Sequence, residues 1–108
     1  IGAGFGVESA RRAVALAERH PAVFATVGVH PHDAGKPYEM QLLRELAAHP
    51  RVVAIGETGL DFFKNWSPIE AQRTAFRAQI ELALETGKPL VIHSREAGAE
   101  CLATLREY

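Results

Sequence analysis

The sequence has a single cysteine, Cys101, which excludes an internal disulfide and a zinc site built on several thiolates. It fits a reducing compartment, so a cytoplasmic location is expected. Charge of one sign is also lacking. Twelve Lys and Arg against thirteen Asp and Glu leave a formal net charge of −1, so there is no broad basic field and any phosphate recognition has to be local. No apolar run approaches the roughly 20 residues that cross a bilayer, and no membrane partner is expected. The opening Ile1-Gly2-Ala3-Gly4-Phe5-Gly6 has neither the charged start nor the apolar stretch of an export signal. The first residue is Ile1, and the only methionine, Met40, lies inside a helical pattern, which points to an internal piece of a longer protein. What the chain does have is apolar side chains, 47% of 108 residues, enough for one modest core.

Three short runs rich in β-branched residues read as buried strands: residues 23–29, bounded by Pro21 and Pro31, residues 52–56 and residues 89–93. The helical spacing between them falls on Ala10, Ala13, Val14 and Ala17, and then on Leu42, Leu43 and Leu46. A third helix is predicted from Ser67 as N-cap, with Pro68 at the first helical position and Glu70 closing a capping box. Its apolar stripe is Phe76, Ile80, Ala83 and Leu84, and Gly87 with Pro89 stops it. A last helix carries Ala97, Cys101 and Leu105, and residues 2–6 read as the end of an earlier strand. Strands that are apolar on both faces and joined by crossover helices require a parallel α/β sheet, either open and doubly wound or part of a (β/α)8 barrel. A whole barrel takes about 250 residues, so the chain would supply about half of one. Residues 1–108 read as part of one domain, with no linker or low-complexity segment.

In parallel α/β folds ligands gather at the carboxyl ends of the strands. The first run leads into His30-Pro31-His32-Asp33, the second into Glu57, and the third ends on His93. Imidazole and carboxylate on one rim suit zinc, manganese or a related divalent ion, and a carboxylate can bridge two ions. Each residue also has a plainer reading: Glu57 capping a turn, His93 bonded to a core carbonyl, His30 and His32 in a solvated turn. Asp61 and Arg95 follow closely, either to pair with each other or for Arg95 to clamp a phosphate. Lys64 and Trp66, in the loop after the second strand, could meet a nucleotide.

The runs Gly28-Val29-His30-Pro31-His32-Asp33, Ala54-Ile55-Gly56-Glu57-Thr58-Gly59-Leu60-Asp61 and Pro89-Leu90-Val91-Ile92-His93-Ser94-Arg95-Glu96 closely resemble three successive signatures of the TatD family of metal-dependent hydrolases. The resemblance implies about strands 2 to 5 of an amidohydrolase-like (β/α)8 TIM barrel. It also implies a centre of two divalent ions (zinc, manganese or magnesium) and hydrolysis of DNA phosphodiesters from the 3′ end. Carried over by position, Glu57 is the catalytic, metal-bridging glutamate, His93 a metal ligand and His30 a phosphate contact, with Arg95 taken as a second substrate-binding residue. The family's His-x-His pair on a first strand is absent before residue 30, and a later histidine and aspartate would lie beyond Tyr108. About half the ligand set is then present, and Glu57 and His93 alone should bind weakly. The same centre could instead cleave another ester or an amide, or the chain could be a truncated, inactive piece.

Overall fold

A computed structural model describes the backbone of residues 2–63 and 66–108 and the side chains of residues 10–63 and 66–108. Four parallel strands lie side by side in chain order: β1 (Gly2–Phe5), β2 (Ala25–Gly28), β3 (Val52–Asp61) and β4 (Leu90–Arg95). The crossovers are α1 (Gly6–Arg19), α2 (Met40–Ala47) and α3 (Ile69–Thr86), and α4 (Gly98–Leu105) follows β4. A short 3-10 helix over Pro31–Asp33 occupies the exit from β2. The expected repeated βαβ order is present, including the early strand.

Helix spacing sets the core. Ala10, Ala13, Val14 and Ala17 of α1 and Leu43 and Ala47 of α2 pack with Val27, Val52 and Ile55 of the sheet. A second cluster joins Leu60 of β3 to Phe76 and Ile80 of α3, and to Ala97 and Cys101 at α4. Each large apolar side chain buried this way contributes roughly 1.5–3 kcal/mol. The α3 stripe differs from expectation at Leu84, which is 65% exposed.

Two further differences have physical causes. α3 begins at Ile69 with Pro68 as its cap residue and no side-chain cap. The Ser67 hydroxyl is used elsewhere: it accepts from Gly35 N and donates to the His32 carbonyl, so a tertiary tie outcompetes the local cap. Glu70 pairs forward with Arg73 rather than back to the cap. The stop at Gly87 is as expected, with φ of 68° in the left-handed region that favours glycine.

The second difference is in the strands. β3 does not end at Gly56 but runs on to Asp61, and β4 continues to Arg95. Gly56 pairs with Val91 and Thr58 with Ile92, so Glu57 is an extra residue with no rung of its own. Such a bulge re-aims a side chain without ending the strand. Val91 and Ile92 are 42% and 38% exposed, β4 being an outer strand of the four described.

Two glutamines on the inner face of α3 secure the strand exits. Gln79 accepts from Val29 N and donates to the Val29 and Ala75 carbonyls. Gln72 accepts from Asp61 N and donates to the Ser67 carbonyl. Both are buried, at 1% exposure, and both satisfy backbone groups that a strand neighbour would otherwise take. Val29 leads into His30 and Asp61 closes β3, so these amides hold the pieces of backbone from which the polar cluster hangs.

Candidate metal centre

Three strands deliver that cluster. His30 leaves β2, Glu57 projects from the β3 bulge, and His93 stands on β4, where it pairs in register with Gly59. Nε2 of His30 lies 3.7 Å from Glu57 Oε1, and Nδ1 of His93 lies 3.9 Å from the same oxygen. His30, Glu57 and His93 each offer one ligand atom, all within 4.8 Å of one another. A second group, His32, Asp61 and His93, meets the same spacing. Nε2 of His32 and of His93 lie 2.7 and 2.9 Å from Asp61 Oδ2, while Asp61 Oδ1 accepts from Phe63 N at 3.0 Å. Asp61 is fully buried.

The imidazoles pack closely, with ring centres of His30 and His32 4.3 Å apart and of His30 and His93 4.6 Å apart. Burial first, and then the neighbouring His32 and His93, hold His30 below the ordinary imidazole pKa, against the opposing pull of Glu57 and Asp33. A neutral ring has one donor and one acceptor nitrogen. His30 Nδ1 accepts from His32 N at 3.1 Å, so Nε2 is the N–H and points its hydrogen at the space beside Glu57. That favours hydrogen-bond donation by His30 over coordination. Beside the rings lies a cleft of about 510 Å³ lined by His30, His32, Asp33, Lys36 and Trp66. Trp66 is 67% exposed and stands edge-on to His32, ring centres 4.5 Å apart.

The donor chemistry suits a divalent cation: a half-exposed carboxylate with two oxygens and a histidine nitrogen within reach of it. Glu57 and His93 are not strand ends but lie within β3 and β4. Arg95 does not pair with Asp61 among the described residues; its guanidinium lies over the Phe63 ring, 4.0 Å from the centroid, and Asp61 takes the two histidines. Lys64 lies outside the described residues. The Asp61 network joins residues 29 and 32 positions apart, and only the spacing of the His30-Pro31-His32 turn and the two strand runs hinted at it.

The sequence model of the family described as "TatD related DNase" matches residues 1–108. This chain belongs to that family. The chain is 45% identical over 104 residues to the "3'-5' ssDNA/RNA exonuclease TatD" of Enterobacter lignolyticus (strain SCF1), covering 94% of the chain and 40% of the relative. Against the "Uncharacterized metal-dependent hydrolase YabD" of Bacillus subtilis (strain 168) it is 41% identical over 106 residues, 96% of the chain and 42% of the relative. The crystal structure of the TatD homologue YJJV from Escherichia coli k12 superposes with a TM-score of 0.88 at 29% identity, over 97% of this chain and 42% of that one. The four strands and their helices are therefore part of a TatD-type (β/α)8 barrel. The chain spans about 40% of the length of the curated TatD relatives it matches.

Proposed function

We propose that this chain carries part of the active site of a cytoplasmic, metal-dependent hydrolase that removes nucleotides from the 3′ end of single-stranded DNA or RNA. The observation that carries the reading is the meeting of Glu57, His93 and His30, from three separate segments, within 4.8 Å. The names of the TatD relatives support it. In the proposed centre Glu57 and His93 would hold the divalent ions, Glu57 having two oxygens with which it could serve more than one. Zinc, manganese or magnesium ions bound there would supply a nucleophile at neutral pH and offset charge on the attacking and leaving oxygens. His30 donates its Nε2–H to a phosphate oxygen, and Arg95, on the same strand as His93, is the second phosphate contact.

The test uses the complete native protein, stripped of metal and reloaded with zinc, manganese or magnesium in turn. Substrates are single-stranded DNA and RNA with free and blocked 3′ ends, a carboxylic ester and an amide. Mononucleotide release from free 3′ ends, restored only on reloading, is the expected result. Turnover of the ester or amide without nucleotide release would replace the phosphodiester reading.

Trp66 gives a sharper expectation. Its ring stands at the mouth of the cleft, where a terminal base could stack on it. Such stacking contributes about 1–3 kcal/mol, so Trp66→Ala should raise KM for a single strand roughly 5- to 150-fold and leave kcat nearly unchanged. Steady-state kinetics on a short oligonucleotide will show whether the loss falls in KM.

A further inference from the structure

We propose that Asp61 is a positioning residue that sets the tautomer and aim of His93, with His32 as a brace and not a ligand. The proposal deepens the reading of the site given above, but its first test does not depend on any activity.

Asp61 is fully buried, and a carboxylate in that position is tolerated only when its oxygens are filled. Oδ1 accepts from Phe63 N at 3.0 Å. Oδ2 faces Nε2 of His32 at 2.7 Å and Nε2 of His93 at 2.9 Å. An ionised carboxylate only accepts, so the arrangement in which all three contacts are hydrogen bonds has both rings donating from Nε2. That leaves Nδ1 of neutral His93 as its lone-pair nitrogen, and this is the atom 3.9 Å from Glu57 Oε1. A histidine that donates its far N–H to a carboxylate is held in one orientation and made more basic at the nitrogen that binds metal.

The brace around Asp61 is built from both sides. Its backbone N–H is taken by Gln72, and the carbonyl of His32 accepts from Ser67 Oγ. The His32 ring therefore cannot swing toward Glu57 without breaking its bond to Asp61, while Ser67 holds the backbone beneath it. The competing arrangement is an ion among His32, Asp61 and His93, which also lie within 4.8 Å of one another. That would put three ligand atoms where two N–H groups already fill one oxygen.

The test is long-range ¹H–¹⁵N NMR of ¹⁵N-histidine-labelled complete protein, free of metal, at neutral pH. Protonated Nε2 and unprotonated Nδ1 on both His32 and His93 are expected, and Nδ1–H on His93 would overturn the proposal without touching the nuclease reading. Cation titration then compares wild type, Asp61→Asn and His32→Gln. Asp61→Asn should weaken binding roughly 10- to 100-fold at unchanged stoichiometry and lose the single His93 tautomer. His32→Gln should keep that tautomer and bind within a few-fold of wild type. Loss of one bound equivalent in either variant would mark them as ligands and sink the positioning role. If the tautomers hold but no nucleic acid is cleaved, the proposed function fails and the role of Asp61 stands.

Discussion

Glu57→Gln is expected to weaken divalent-cation binding by the complete protein more than about 100-fold, since loss of a mere supporting group around a metal costs roughly 10- to 100-fold. Hydrolysis should fall to the metal-free background. The substitution keeps the shape of the side chain but removes its charge and replaces one oxygen with an amide donor. Near Glu57 stand two imidazoles, His30 at 3.7 Å and His93 at 3.9 Å. Neither can take over a shared carboxylate's role. The Glu57 side chain is 40% exposed, so folding stability should change by no more than about 0.5 kcal/mol. Calorimetric cation titration with a 3′ end assay will measure the effect. A variant that retains activity at equal metal occupancy would show that Glu57 is not the shared ligand.

Gly59→Ala should be the most damaging added methyl group among the described glycines. Gly59 has φ of +134°, where an L side chain is strained by about 1–3 kcal/mol. A Cβ there would also sit 2.1 Å from the carbonyl oxygen of His93, a backbone atom of the neighbouring strand that has no rotamer to escape into. β3 and β4 would have to part at the rung that aligns Gly59 with His93. A loss of about 3 kcal/mol or more is expected, which lowers Tm of the complete barrel domain by on the order of 6–12 °C. Metal affinity should fall with it, because His93 moves. Gly98→Ala is the control: at the start of α4 a Cβ meets nothing within 4 Å, and it should be neutral or stabilising by up to about 1 kcal/mol. Thermal melts of the two variants side by side decide the matter, and a Gly59→Ala protein that melts with wild type would refute the close approach.

The strand and helix order was legible because each element carries its period openly. Val52, Val53, Ala54 and Ile55 can be little else than a buried strand, and Ala10, Ala13, Val14 and Ala17 little else than a helix face. The extension of β3 was not legible: Thr58-Gly59-Leu60-Asp61 has no apolar run, and its pairing is enforced from outside by β4. Glutamine reads as a surface residue on a helix, so the sequence does not mark Gln72 and Gln79 as braces. Their positions held a clue, since with Phe76, Ile80 and Ala83 they complete one helical stripe. Of the candidate site, the meeting of Glu57, His93 and His30 could be anticipated from residue type and place. The grip of Asp61 on His32 and His93 could not, because hydrogen bonds across 29 and 32 residues leave no periodic trace in a chain. Ser67 illustrates the limit in reverse, since its local pattern predicted a cap and a distant backbone claimed the hydroxyl.

The bulge at Glu57 has a consequence for how such a protein can change over time. Because the rungs pass from Gly56–Val91 to Thr58–Ile92, the strand pairing itself does not use the residue between them. Position 57 is free to vary in chemistry while the scaffold keeps its register. A saturation library there should yield folded proteins for most side chains, whose differences report mainly on cation choice and reactivity. Selection could exchange one metal or one reaction for another at this residue without first having to repair the barrel.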